Sequence, residues 1–168
     1  MTIIETKNAG DNKATDKMAE AFSNEVRINS VQTAIAAINT AFAANGNMPV
    51  NVFMGGHGNS TTFTMGDGQQ AGTNRIRAAD IGVNGTNTQK FIAAVKGKIR
   101  TLTLFGCSVG AGGGAFLQSL ANAIKMGTTL PTCYGYDKSV CAAGGHWIIF
   151  SGTLSTIAGA ALVCKTAQ

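Results

Sequence analysis

The sequence predicts an α/β protein, a three-layer sandwich around a mostly parallel central sheet. Three observations carry that prediction. Short apolar, β-prone runs alternate with stretches of helical periodicity. Two of the runs, Val50–Met54 and Leu102–Phe105, are apolar almost throughout and stop at glycines, as strands buried in a parallel sheet do. Hydrophobic residues make up 45% of the 168 positions and charged ones 12%, enough apolar surface to fill one core. No repeat or linker divides the chain, so residues 1–168 read as a single domain.

The elements follow in order. Thr2–Thr6 is a first strand, followed by a polar turn over Asn8–Asn12. Lys13–Ser23 is helical and weakly amphipathic, and Val26-Arg27-Ile28 is a short alternating strand. Ser30 then caps a helix with Val31, Ile35, Ile38 and Phe42 at helical spacing, stopped by Asn45-Gly46. The strand Val50–Met54 runs into Gly55-Gly56-His57-Gly58. Thr61–Met65 alternates and ends at Gly66-Asp67-Gly68, a hairpin signal. Residues 66–86, rich in Gly and Asn, read as a surface loop. Thr88–Lys98 is a second helix with Phe91, Ile92 and Val95 on one side. Leu102–Phe105 leads into Gly106-Cys107-Ser108-Val109-Gly110, then a helix with Phe116, Leu117, Leu120, Ala121 and Ile124. Thr132–Tyr136 and Trp147–Phe150 complete the strands.

Charge narrows the partners. The net charge is +5, but the thirteen basic residues are dispersed, the densest group being Lys96, Lys98 and Arg100. No aromatic residues interleave with them as a nucleic-acid stacking platform needs. A solvated basic face is the simpler reading, and nucleic acid is not an expected partner. Beyond Asp80 the only acid is Asp137. Cys107, Cys133, Cys141 and Cys164 lack metal-ligand spacing, so neither a metal nor another cofactor is expected. Cys133 and Cys141 are close enough for a local disulfide in an oxidising compartment. The longest apolar stretch, Leu154–Val163, is interrupted by Ser, Thr and Gly and is too short to span a bilayer. With no charged-apolar-small signal pattern at the N-terminus, a cytoplasmic protein is expected, with no membrane partner. A domain secreted, or excised from a surface precursor, would read the same way, and the oligomeric state is left open.

The chemistry lies at two strand ends. One run delivers an imidazole, His57, and the other a thiol, Cys107, each between glycines. Ligands and catalysis gather at the carboxyl ends of strands in parallel α/β sheets. A thiol is mostly protonated near neutral pH and gains nucleophilicity from an adjacent base or a depressed pKa. The Gly-rich turn leading from Cys107 to a helix suggests help from the helix dipole and from backbone N–H groups facing an oxyanion. Either residue alone would read as structural, a buried cysteine or a turn histidine. Their joint placement reads as a cysteine hydrolase.

Phe53–Gly58 followed by Leu102–Gly110, with 107 − 57 = 50 residues between histidine and cysteine, resembles the caspase-like cysteine peptidases, the clan of caspases, clostripain, gingipain, legumain and separase. More closely, the chain is similar to the bacterial caspase-like domains of large surface proteins. Phe116–Ala121 matches their Phe-x-x-x-Leu-Ala helix, and Gly144-Gly145-His146-Trp147 their Gly-Gly-x-Trp. The resemblance covers roughly residues 25–150. It implies a caspase-like three-layer sandwich and a thiol endopeptidase acting on protein or peptide substrates. Cys107 would be the nucleophile, passing through a thioacyl intermediate, and His57 the base. The N–H groups of Gly58 and Cys107 would form the oxyanion hole. Relatives that cut after Arg or Lys commonly carry an Asp two residues before the nucleophile. Phe105 stands there in this chain, so basic specificity would need Asp137 to supply the carboxylate.

Two other readings compete. Gly106–Gly110 also satisfies the G-x-S-x-G elbow of a small serine esterase, with Ser108, Asp137 and His146 in order. Alternatively the chain is a catalytically inactive caspase-like binding module, since a fold alone does not establish activity.

Overall fold

The computed structural model describes residues 2–6, 25–28, 30–65, 74–138 and 162–168. Strand β1 (Thr2–Thr6) comes first, then β2 (Glu25–Ile28). In β2, Val26 is exposed and Ile28 buried, the alternation its sequence suggests. Helix α1 (Val31–Ala44) begins at a reciprocal capping box. The Ser30 hydroxyl accepts from the Thr33 N–H, and the Thr33 hydroxyl accepts from the Ser30 N–H. Val31, Ala34, Ile35 and Ile38 form its buried stripe, and the chain leaves through Gly46 and Asn47, both at positive φ. Phe42, near the end of that stripe, is only half-buried, and the Lys98 ammonium lies 5.8 Å from its ring centre.

Strand β3 (Val50–Gly55) follows, and after Gly56 come three short strands, β4 (His57–Asn59), β5 (Thr62–Thr64) and β6 (Arg75–Arg77). Helix α2 spans Asn87–Val95 with Thr86 as its cap, β7 spans Ile99–Phe105, and helix α3 spans Ala115–Ile124. Strands β8 (Thr132–Tyr136) and β9 (Leu162–Thr166) close the series. No helix among the described residues is long and apolar enough to cross a membrane.

The main sheet runs β2-β1-β3-β7-β8-β9, parallel throughout except for the antiparallel edge pair β8–β9. In chain order its first five strands are arranged 2-1-3-4-5, a doubly-wound order whose ligand crevice lies at the strands' carboxyl ends. The mixed α/β class with a mostly parallel sheet is therefore as the sequence predicts. A separate antiparallel sheet, β4-β5-β6, sits beside it.

The three helices share one core on one face of the main sheet. Ile35 and Ile38, Phe91 and Val95, and Leu117 and Leu120 pack with Val52, Met54, Leu102, Leu104 and Cys133. Phe63 and Ile76 bring the small sheet into the same core. On the other face Phe105 stacks on Phe53, centroids 5.6 Å apart, and meets Tyr136 edge-on at 5.5 Å. Burial of this aromatic trio pushes the Tyr136 phenol above its ordinary pKa. Full burial of Cys133 likewise pushes its thiol up strongly, so it stays protonated.

Several expectations need correction. Residues 66–86 are not all loop, because Arg75–Arg77 pairs with β5 and buries Ile76 completely. The one-turn Ala78–Asp80 helix follows, locked by a bidentate Arg77–Asp80 ion pair at 2.8 and 3.1 Å. Thr62–Thr64 pairs antiparallel with β6, in keeping with the hairpin signal, and also with β4 on its other side. The second helix ends at Val95, since Gly97 turns at positive φ and Ile99 already belongs to β7. Leu162–Thr166 is a strand the sequence reading missed. The turn Asn8–Asn12, the helix Lys13–Ser23, the turn Gly66–Gly68, the strand Trp147–Phe150, Cys141 and His146 lie outside the described residues. Among the described residues, Cys107, Cys133 and Cys164 form no disulfide.

Candidate active site

Strands β3 and β7 are parallel neighbours, in register from Val52↔Leu102 to Gly55↔Phe105. Gly55↔Phe105 is the last pair of that ladder, and the Gly56 N–H still donates to the Phe105 carbonyl at 3.0 Å. His57 and Cys107 each stand two residues beyond it. Both therefore leave the sheet at the same end, on adjacent strands.

Their backbones then touch. A methyl added at Gly106 would lie 3.1 Å from the Gly56 carbonyl oxygen, 3.2 Å from the His57 carbonyl carbon and 3.3 Å from the Gly58 nitrogen. A methyl at Gly58 would overlap the Val109 side chain and sit 3.3 Å from the Cys107 carbonyl oxygen. At Gly58 the missing side chain lets the strand ends close against each other, and at Gly106 a methyl would require its backbone neighbours to give by a few tenths of an ångström. The Gly58 nitrogen consequently lies beside Gly106.

The loop that carries Cys107 is anchored on both sides. Phe105 and Val109 are buried, which holds half-buried Cys107 and Ser108 between them at the surface. The Ser108 N–H donates to the Lys138 carbonyl at 2.9 Å, and the Gly110 N–H donates to the Tyr136 carbonyl at 2.7 Å. The loop thus lies along residues 136–138 like a further strand, with half-buried Asp137 between the two bonds. Ser108 adopts a left-handed backbone, φ 56°, a strained geometry for a residue with a side chain.

Helix α3 starts at Ala115, 115 − 107 = 8 residues after Cys107. Its cap, Gly114, lies against Val163 and Lys165 of β9, and Val163 also lies against Gly110 of the Cys107 loop.

His57 is also more than a strand-end residue. It opens β4 and pairs with Thr64 of β5, which pairs with Arg75 of β6. The sequence reading found β5 in the alternation of Thr61–Met65 but missed β4 and β6, although Ile76 between two arginines carries a period-two signal. Phe105, the expected floor of the substrate pocket, is only 2% exposed and lies in the aromatic trio under this end of the sheet. His146, the third member of the serine-esterase arrangement, falls outside the described residues. Comparison of the chain with protein-family models, curated proteins and solved structures finds no match.

Proposed function

We propose that this protein is a cysteine endopeptidase of caspase-like architecture. Cys107 is the nucleophile and His57 the general base. The observation that carries the reading is the β3–β7 register, which sets an imidazole and a thiol two residues past one terminal strand pair. In this mechanism His57 accepts the Cys107 proton and the thiolate attacks the scissile carbonyl. The N–H groups of Gly58 and Cys107 receive the developing oxyanion. The protonated imidazole then donates to the leaving amine, and water, deprotonated by His57, hydrolyses the thioacyl enzyme. Phe105 stands where basic-specific relatives carry an Asp and supplies no carboxylate, and this favours a neutral or hydrophobic residue before the scissile bond. Burying a guanidinium there without a carboxylate is costly, and Asp137 is the carboxylate within the loop contact.

Cleavage profiling on a peptide library tests the proposal. Cys107→Ala and His57→Ala should abolish cleavage in folded protein, while Ser108→Ala leaves it within about twofold. The left-handed backbone of Ser108 is the one feature favouring the serine-esterase reading. Loss of ester hydrolysis in Ser108→Ala but not in Cys107→Ala would establish that alternative. Binding of peptides with no turnover, unchanged after iodoacetamide, would instead mark an inactive binding module. A strong Arg preference that vanishes in Asp137→Ala would assign the pocket to Asp137 rather than Phe105.

A further inference from the structure

The small sheet has two unlike faces. Gly58, Phe63 and Ile76 stand in one register row, and Phe63 and Ile76 are completely buried in the core. The flanking rows are His57↔Thr64↔Arg75 and Asn59↔Thr62↔Arg77. Directly paired residues share a face and alternate rows take opposite faces, so these six side chains line the polar face. Arg77 is exposed there and forms a bidentate ion pair with Asp80, which offsets its charge. Arg75, half-buried, stands in the same row as His57, one strand beyond Thr64.

We infer that Arg75 determines specificity, recognising an acidic side chain of the substrate through the polar face that also carries His57. This rests on the peptidase reading of His57 and Cys107. Two strand spacings separate the backbones of His57 and Arg75, about 10 Å. An extended peptide advances about 3.3 Å per residue, so the acidic side chain falls about three residues from the scissile bond. Thr64 lies between, offering a hydroxyl rather than a competing charge. A guanidinium presents a planar fork to a carboxylate, which gives geometric selectivity as well as attraction.

The test compares one cleavable peptide with versions carrying Glu, Gln or Lys three residues to either side of the scissile bond. On one of the two sides, the wild-type protein should show kcat/KM about tenfold higher for Glu than for Lys, as for a charge-assisted hydrogen bond. Arg75→Gln should level the series and Arg75→Glu should invert it. Equal Glu/Lys ratios in wild type and Arg75→Glu overturn the assignment. The same peptides, labelled and titrated into Cys107→Ala by fluorescence anisotropy, report recognition without turnover. If no peptide is cleaved, the peptidase reading fails. Anisotropy then still decides Arg75: charge-selective binding that reverses in Arg75→Glu supports it, and charge-blind binding or none overturns it. Arg75→Lys, which keeps the charge but not the fork, should retain the preference in weakened form.

Discussion

At Gly58 a single hydrogen in place of a side chain decides whether the two sheets meet. A methyl there presses on the Val109 side chain and comes to 3.2 Å from the Thr62 carbonyl and 3.3 Å from that of Cys107. Val109 is itself fully buried and has little room to yield. Gly58→Ala should therefore cost about 1–3 kcal/mol, the range for an overpacked site. A lowered urea midpoint at unchanged m-value checks this, and an unchanged midpoint would mean that the seam is looser than its contacts indicate. The position is unlike Gly46, where a methyl meets nothing within 4 Å and only the positive φ favours glycine.

Among the elements, the helices were the most readable from sequence and the short strands the least. Helix α1 carries its own start signal, and the reciprocal Ser30–Thr33 bonds satisfy N–H groups that the first turn leaves open. Ser30→Ala should lower stability by about 1 kcal/mol, seen as a fall in Tm, whereas Ser30→Asp should nearly restore it. Helix α3 was legible because Phe116, Leu117, Leu120, Ala121 and Ile124 form one buried stripe, as their spacing indicates. Strands β3 and β7 were legible as apolar runs with glycine at their ends, and that same signal placed His57 and Cys107 at one end of the sheet. Strand β4 was hidden because His-Gly-Asn has turn composition, and β6 because its one apolar residue stands between two arginines. Strand β9 is an edge strand with half-buried and exposed side chains, so burial leaves little periodic trace in its sequence. The polar row containing Arg75 was illegible for a further reason: register between short strands is a tertiary fact, set by how Phe63 and Ile76 enter the core.

For the molecule as a whole, the proposed base and nucleophile belong to different sheets. Cys107 follows the long parallel sheet, while His57 begins the small antiparallel one, with Gly56 as the single residue between β3 and β4. A three-stranded sheet of three-residue strands is marginal alone and depends on docking, here through Phe63 and Ile76 and across the Gly58 seam. Subglobal openings of such units cost less than global unfolding. An opening of the small sheet on a still-folded platform would carry the proposed base away from the proposed nucleophile without denaturing the protein. Peptide cleavage should accordingly fade at urea concentrations below the midpoint of the far-UV circular dichroism transition. Coincident midpoints for the two signals would mean instead that the sheets part only when the whole chain does.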